Sequence, residues 1–217
     1  YIRNYQPYLM DGLMNNYRYQ MLAYQQWWQM HQDNQLSAEQ KVFFNSKPVE
    51  MLFDLQQDPF ETVNLARGRE YQVVLQGLRD SLDQWMIRMP DLSFFPEHYL
   101  LKNAQNDLLV FGESHRKEIK GYLRLANLCF LDFKSVKHDL ERALEEDDPW
   151  MRYWALNNCL VFGRQAIELT KKIRLMAHSD PELINRVKAA EYLGLHCGEN
   201  PVSLILSALY QSSQEAE

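Results

Sequence analysis

The sequence has no long apolar run: none of its hydrophobic stretches approaches the roughly 20 residues that a bilayer-spanning helix needs. Glycine is scarce, and its eight copies are scattered singly, so no glycine-rich phosphate loop can be read. No Gly-x-Ser-x-Gly nucleophile elbow occurs either. The three cysteines, Cys129, Cys159 and Cys197, are odd in number and far apart, which argues against a disulfide framework. Each sits in or at the end of an apolar helical pattern and is expected as a free buried thiol. The six histidines form no His-x-x-x-His pair, so no metal site is expected. Positive charge is not in surplus. A formal net charge of −6 argues against nucleic-acid or anionic-membrane surfaces. The densest basic spots, His115-Arg116-Lys117 and Lys171-Lys172, read as solvated helix faces. A signal peptide is also missing. The chain opens at Tyr1, inside a strand-like stretch, as a processed or truncated product would, so that absence says nothing about location.

What is present reads as two halves. With 217 residues, there is enough chain for one large domain or two small ones. The first half is aromatic and irregular. Tyr1–Tyr8 alternates as a strand does. Apolar groups at Tyr17, Met21, Tyr24, Trp28 and His31 keep helical spacing. Val49–Leu55 reads as a short strand with Met51, Phe53 and Leu55 on one face. Asp58-Pro59-Phe60-Glu61 reads as a helix or turn start, with Asp58 capping and Glu61 completing a variant capping box. A helix is expected over about Glu70–Met89, with an apolar stripe through Tyr71, Val74, Leu75, Leu78, Leu82, Trp85, Met86 and Met89, ended by Pro90.

From Pro96 onward the pattern is helical and weakly repetitive. Asp148-Pro149 recurs as Asp180-Pro181, and Arg152-x-x-Ala155 as Arg186-x-x-Ala189. A spacing of roughly 32–35 residues falls near that of helical-pair solenoids. Each Asp-Pro is expected to cap and start a helix, and Gly163 and Gly198 to end the helices that follow. An earlier degenerate pair is read over Glu113–Leu131. Pro201–Tyr210 reads as the first helix of an incomplete or capping repeat, and Gln211–Glu217 as a polar, frayed end.

Three clusters carry competing readings. Glu145-Glu146-Asp147-Asp148 suggests calcium, yet it lacks alternating oxygen ligands and a loop glycine, and reads better as a solvated helix end with a cap. The aromatic cluster Tyr17–Trp28 is a carbohydrate-stacking platform or, at helical spacing, core. Trp150, Tyr153 and Trp154 either pack on a neighbouring helix pair or line a protein-binding groove.

One stretch resembles a known family. Phe43-Phe44-x-x-Lys47-Pro48-x-Glu50-Met51-Leu52-Phe53-Asp54-Leu55-x-x-Asp58-Pro59-x-Glu61-x-x-Asn64-Leu65-Ala66 resembles the tail of the sulfatases, which combines a strand, a capped turn and an Asn-Leu exit. Tyr1-Ile2-Arg3-Asn4-Tyr5 is similar to a family strand. His31 followed by Leu36-Ser37-x-x-Gln40 is similar to the linker before the Lys-Pro segment. Trp85, Asp91 and Pro96-Glu97 resemble the exit of the tail subdomain. Asp148-Pro149-Trp150-x-Arg152-Tyr153-Trp154-Ala155 resembles the HEAT-like repeats that some bacterial sulfatases carry. The resemblance covers nearly the whole chain and looks closest to the heparan N-sulfatase-like branch.

It implies an α+β tail subdomain over 1–97, a short antiparallel sheet with packed helices. An all-α, HEAT-like superhelix is implied over 98–217. It also implies a parent enzyme in which a Cys or Ser of Cys/Ser-x-Pro-x-Arg becomes formylglycine and calcium is held by Asp and Asn. None of those residues carries over. No cysteine here has proline two residues on, and Ser46-Lys47-Pro48-Val49-Glu50 ends in glutamate where arginine is required. Catalytic and metal residues are therefore expected to be absent from this segment, with formylglycine and calcium in an N-terminal domain of the parent. Arg3, His31 and Lys47 are the candidate contacts to an anionic, sulfated glycan. The expected partners are the parent's N-terminal catalytic domain and a protein or second copy at the repeats. The resemblance implies a periplasmic or secreted parent. The alternatives are a stand-alone interaction module built on the repeats and a free-standing enzyme with an unrecognised site.

Overall fold

The computed structural model describes residues 1–13 and 15–212; of the expected polar end, positions from 213 lie outside the described residues. The described chain is mostly helical, with one two-stranded antiparallel sheet. It divides into two compact units, Tyr1–Leu78 and Arg79–Glu217, parted within one helix. The boundary expected at residue 97 falls inside the second unit.

In the first unit, strand β1 (Ile2–Arg3) pairs with β2 (Glu50–Met51), Ile2 opposite Met51 and Arg3 opposite Glu50. Both strands are shorter than their sequence patterns suggested. The face of β2 also differs from expectation: Glu50 and Leu52 are buried, whereas Met51 and Phe53 are half-exposed and Leu55 exposed. The cause is Asn64. Its side-chain oxygen accepts from the N–H of Leu52 and of Ala66, both at 3.0 Å, and its amide donates to the carbonyl of Glu50 at 3.0 Å. The N–H of Leu65 reaches the carbonyl of Leu52 at 2.8 Å. One amide side chain thus takes the place of a strand edge and satisfies backbone groups that would otherwise be orphaned. It also turns Leu52 inward.

The single helical stripe expected from Tyr17 to His31 is two helices, α1 (Asn16–Gln20) and α2 (Leu22–Gln32). Met21 between them is extended. Arg18 fixes that break by donating to the carbonyls of Asp11 and Leu13 at 2.7 and 3.2 Å. Tyr17 and Met21 consequently face outward, while Tyr24 is buried. Ser37 and Gln40 form a capping box at α3 (Ala38–Lys41). Asp58 begins a turn and no helix. Its carboxylate accepts from the Val63 N–H at 2.8 Å and the Thr62 hydroxyl at 3.0 Å. Glu61, at φ 55°, takes no part in a capping box. Helix α4 (Gln72–Arg88) follows. Its stripe is only partly covered: Leu75 and Met86 are buried, but Val74, Trp85 and Met89 are exposed.

The second unit holds α5 (Glu97–Asn103), α6 (Leu108–Ser114), α7 (Arg116–Ala126), α8 (Phe133–Ala143), α9 (Pro149–Phe162), α10 (Thr170–Ser179), α11 (Leu183–Cys197) and α12 (Val202–Gln211). Helices α7, α9 and α11 form a row, α8 packs on α9, and α10 and α12 pack on α11. The earlier pair is α6 and α7, and it starts before Glu113. Asp107 caps α6, accepting from the N–H groups of Leu109 and Val110, and the turn falls at His115. Arg116 is not merely a solvated group: it donates to the carbonyls of Ile87 and Arg88 at the end of α4.

Asp148 caps α9 as expected, accepting from the Trp150 N–H at 2.8 Å with Pro149 in the first turn. Asp180 accepts from the Glu182 N–H in the same way, but α11 begins three residues later, at Leu183. Gly163 (φ 56°) ends α9 and Gly198 (φ 71°) ends α11, conformations that glycine adopts without steric cost. A 3-10 stretch, Gly163–Leu169, unforeseen in the sequence, carries the chain on to α10.

The row is tied by a repeating polar contact. In α7 the Tyr122 hydroxyl donates to Asp148 at 2.7 Å. In α9 Arg152 donates twice to Asp180, at 2.8 and 3.0 Å. In α11 Arg186 donates to Gln211 at 2.8 Å. Arg152 also binds the carbonyl of Glu146, and Arg186 the carbonyl of Asp180, each six residues back. Trp150 and Trp154 are buried, and Trp154 donates to the carbonyl of Phe94 at 3.0 Å, so these rings pack and line no groove.

Candidate functional site

The functional candidates begin with β1. Its two residues place Arg3 beside Tyr1 and Tyr5. The Arg3 guanidinium donates to the Tyr1 hydroxyl at 3.1 Å and to the Tyr5 hydroxyl at 2.9 Å, and lies near both ring faces. The Tyr1 hydroxyl in turn donates to Glu50 at 2.5 Å. Burial, reinforced by that hydrogen bond, pushes the Tyr1 phenol up to about 12, so it stays a donor at neutral pH. This chain of contacts fixes the guanidinium in direction.

Lys47 comes to the same place from the far side of the β2 entry. Its N–H donates to the carbonyl of Pro7 at 2.7 Å, and its ammonium meets Asp11 at 2.8 Å. Between these segments lies a cleft of about 300 Å³, lined by Arg3, Asn4, Gln6, Asp11 and Lys47 among others. It offers guanidinium, ammonium and amide donors with one carboxylate. Such groups can meet an anion. The cleft includes no serine, cysteine or histidine to act as nucleophile or base.

The structure therefore brings together two of the three residues singled out from the sequence. His31 is elsewhere, stacked on Phe44 with ring centroids 4.3 Å apart and beside Trp28. The ring cluster around Tyr24, Trp27, Trp28, Phe43 and Phe44 is core, the second of the two readings. Asp11, Asn4 and Gln6 were not foreseen. Nothing in their local sequence distinguishes them, because only the fold of 1–13 against 43–49 gathers them.

The residues present do not fit a calcium ion or a formylglycine. The cleft's cations would repel a divalent metal, and among the described residues no three His, Cys, Asp or Glu side chains gather as a metal needs. Cys159 is fully buried, and burial pushes its thiol up to about 12, away from reactive thiolate. Cys129 is buried too, while Cys197 is half-exposed, unlike its expected burial. In the acidic run 145–148, the carboxylates of Glu145 and Asp148 serve the structure, while Glu146 and Asp147 contribute their backbone carbonyls. Glu145 meets Lys172 at 2.5 Å, the carbonyls of Glu146 and Asp147 accept from Arg152, and Asp148 is the cap. No described helix is long and apolar enough to cross a membrane.

Comparison with known proteins gives one informative likeness. No family model matches the chain, and no solved structure matches it. The chain is 38% identical over 107 residues to an ulvan-active sulfatase from Formosa agariphila. That stretch is 49% of this chain and 18% of the relative, so the chain spans under a fifth of the protein it matches. Over about half its length, then, the chain is related in sequence to a sulfatase.

Proposed function

We propose that this chain is the C-terminal, non-catalytic part of a sulfatase-like hydrolase. The observation that carries this reading is the sequence likeness to a sulfatase over 107 residues. In this reading the first unit completes the enzyme's second subdomain and walls one side of the substrate cleft. Arg3 and Lys47 contact an anionic group of a sulfated glycan. The helices of the second unit form a HEAT-like scaffold that positions a partner chain, a second copy or an extended substrate. The nucleophile and the calcium ligands belong to an N-terminal catalytic domain of the parent, which is periplasmic or secreted.

The apolar surface of the first unit supports this. Tyr17, Phe60 and Val73 are each 85% exposed, and Met21, Leu22 and Val74 are exposed as well. Side chains this apolar and this exposed gain from coverage by further protein. A second reading, a stand-alone interaction module, draws on α12. There Val202, Leu206, Leu209 and Tyr210 are exposed on the last described helix.

The test begins with the gene. The reading expects upstream coding sequence containing Cys/Ser-x-Pro-x-Arg and paired metal-binding aspartates; a start codon directly before Tyr1 overturns it in favour of the module. In the full-length protein, Lys47→Gln is expected to raise KM for a sulfated polysaccharide several-fold with kcat little changed. Asp11→Asn, which releases Lys47, is expected to lower KM. Unchanged KM in both variants removes the cleft from substrate binding.

A further inference from the structure

The second unit holds a larger cleft, of about 560 Å³, whose lining includes Arg164, Thr170, Arg174, His196, Cys197 and Glu199. Three chain segments converge there. The 3-10 stretch after α9 brings Arg164, the first turn and middle of α10 bring Thr170 and Arg174, and the end of α11 brings His196 and Cys197. The construction depends on close approach at Gly163. A Cβ there would lie 3.1 Å from the His196 ring, at a φ of 56° that side chains rarely adopt, so a larger residue would strain the backbone and press on the imidazole. The Tyr192 hydroxyl, donating to the Gly163 carbonyl at 3.1 Å, holds the same corner.

The cleft holds two guanidinium groups, one of them unengaged. Arg164 is exposed and, among the described residues, makes no hydrogen bond or ion pair. Arg174 is engaged with Glu199 at the rim. The Thr170 hydroxyl donates to the carbonyl of Ile167 at 2.6 Å and lies 3.6 Å from the Cys197 sulfur. His196 carries a buried Nε2 with no partner. Burial, with the nearby Arg164 charge, holds the His196 imidazole below its ordinary value, so at neutral pH it adds no positive charge of its own. The guanidinium groups are therefore the cations available. Arginine presents a planar fork of donors suited to oxyanions.

We propose that this cleft binds a tetrahedral oxyanion, free or carried as an ester on a larger molecule. Arg164 is its unengaged clamp, Arg174 the second, and Glu199 the internal carboxylate that the ligand displaces. The proposal stands independently of the sulfatase reading, because it rests on residues of the second unit alone.

The experiment uses the full chain, isotopically labelled, titrated with sodium sulfate against sodium chloride of equal ionic strength and followed by NMR. Saturable shifts are expected in sulfate at the Arg164 and Arg174 side chains and the Thr170 and Cys197 amides. Arg164→Gln is expected to weaken sulfate binding by roughly tenfold or more, the loss of a charge-assisted contact. Glu199→Gln is expected to tighten it. Both positions lie on the cleft's rim, and unchanged circular dichroism confirms that the variants fold. Changes that match chloride and never saturate overturn the proposal, as do saturable shifts clustered elsewhere and indifferent to Arg164→Gln. Inorganic sulfate and a sulfated oligosaccharide distinguish the sources. Displacement of sulfate by lower concentrations of the oligosaccharide assigns an ester-borne ligand; sulfate binding that the oligosaccharide cannot displace assigns the free ion.

Discussion

The two units tie distant segments together by different means. In the first, each tie occurs once and belongs to one side chain: Asn64 replaces a strand edge, Arg18 holds a helix break, and Asp58 closes a turn. In the second, one kind of tie recurs along a row of helices, from Tyr122 to Asp148, from Arg152 to Asp180, and from Arg186 to Gln211. A unit of single ties has no spare copy of any of them. A row of repeated ties carries its most demanding member where burial is deepest. That member is Arg152–Asp180, whose side chains are 10% and 1% exposed.

The largest expected effect therefore lies in the row. Asp180 also accepts from the Glu182 N–H and from Asn185, so its charge is compensated from three directions. Arg152→Ala leaves that carboxylate buried with its ion-pair partner gone, and is expected to cost about 3–5 kcal/mol. Arg186→Ala removes bonds to the neutral, exposed Gln211 and to the Asp180 carbonyl but leaves no buried charge unpaired, and is expected to cost less. Urea denaturation of both variants, with Asp180→Ala completing a double-mutant cycle, checks the contrast. Equal losses for the two arginines would remove the special place given to the buried pair.

In the first unit the sharpest break is Asn64→Ala. It leaves the Leu52 N–H and the Glu50 carbonyl without their partners, at an expected cost of about 2–3 kcal/mol. Asn64→Asp keeps the acceptor and loses the donor, so it should fall between. Hydrogen exchange separates the units. The Leu52 and Ala66 amides should lose protection in Asn64→Ala, while those of Leu156 and Leu160 should not. Loss of protection at all four would show that the division at Leu78 does not confine the damage.

The same contrast governs what was legible in the sequence. The repeated features could be read from the order of residues alone: Asp148 as a cap, Gly163 and Gly198 as stops, and the recurrence of Arg152 at Arg186. Repetition makes a pattern visible, although the partner of Arg152 did not follow from it, since no spacing rule links an arginine to an aspartate in the next helix pair. The single ties were mostly hidden. Alternation over Val49–Leu55 put Met51, Phe53 and Leu55 on one face, and Asn64, pairing with the strand from a later turn, goes with burial of the other. Helical spacing joined Tyr17 to His31, but Arg18 binds the carbonyls upstream and divides the segment at Met21. At the first cleft, Arg3 and Lys47 were picked by charge and by resemblance, and the antiparallel pairing of β1 with β2 accounts for their meeting. His31 followed the same logic, yet its ring is spent on Phe44.

The smallest expected effect tests a single tie at its surface. Asp58 is half-exposed, and its carboxyl is held below the ordinary carboxylate range, first by the hydrogen bond from the Val63 N–H and also by the Thr62 hydroxyl. A depressed folded value means that the turn gains stability above the unfolded carboxylate value. That gain is lost as pH falls through the folded value. The Val63 amide reports the event directly, because protonation of Asp58 removes the charge it donates to. Its chemical shift should titrate with a midpoint below that of an unstructured aspartate. In Asp58→Asn, which carries no titrating group, the shift should stay flat. A midpoint at the ordinary aspartate value would mean that Val63 and Thr62 do not hold the carboxylate in solution, and that this turn depends on the Asp58 backbone carbonyl, which accepts from the Glu61 N–H at 3.2 Å.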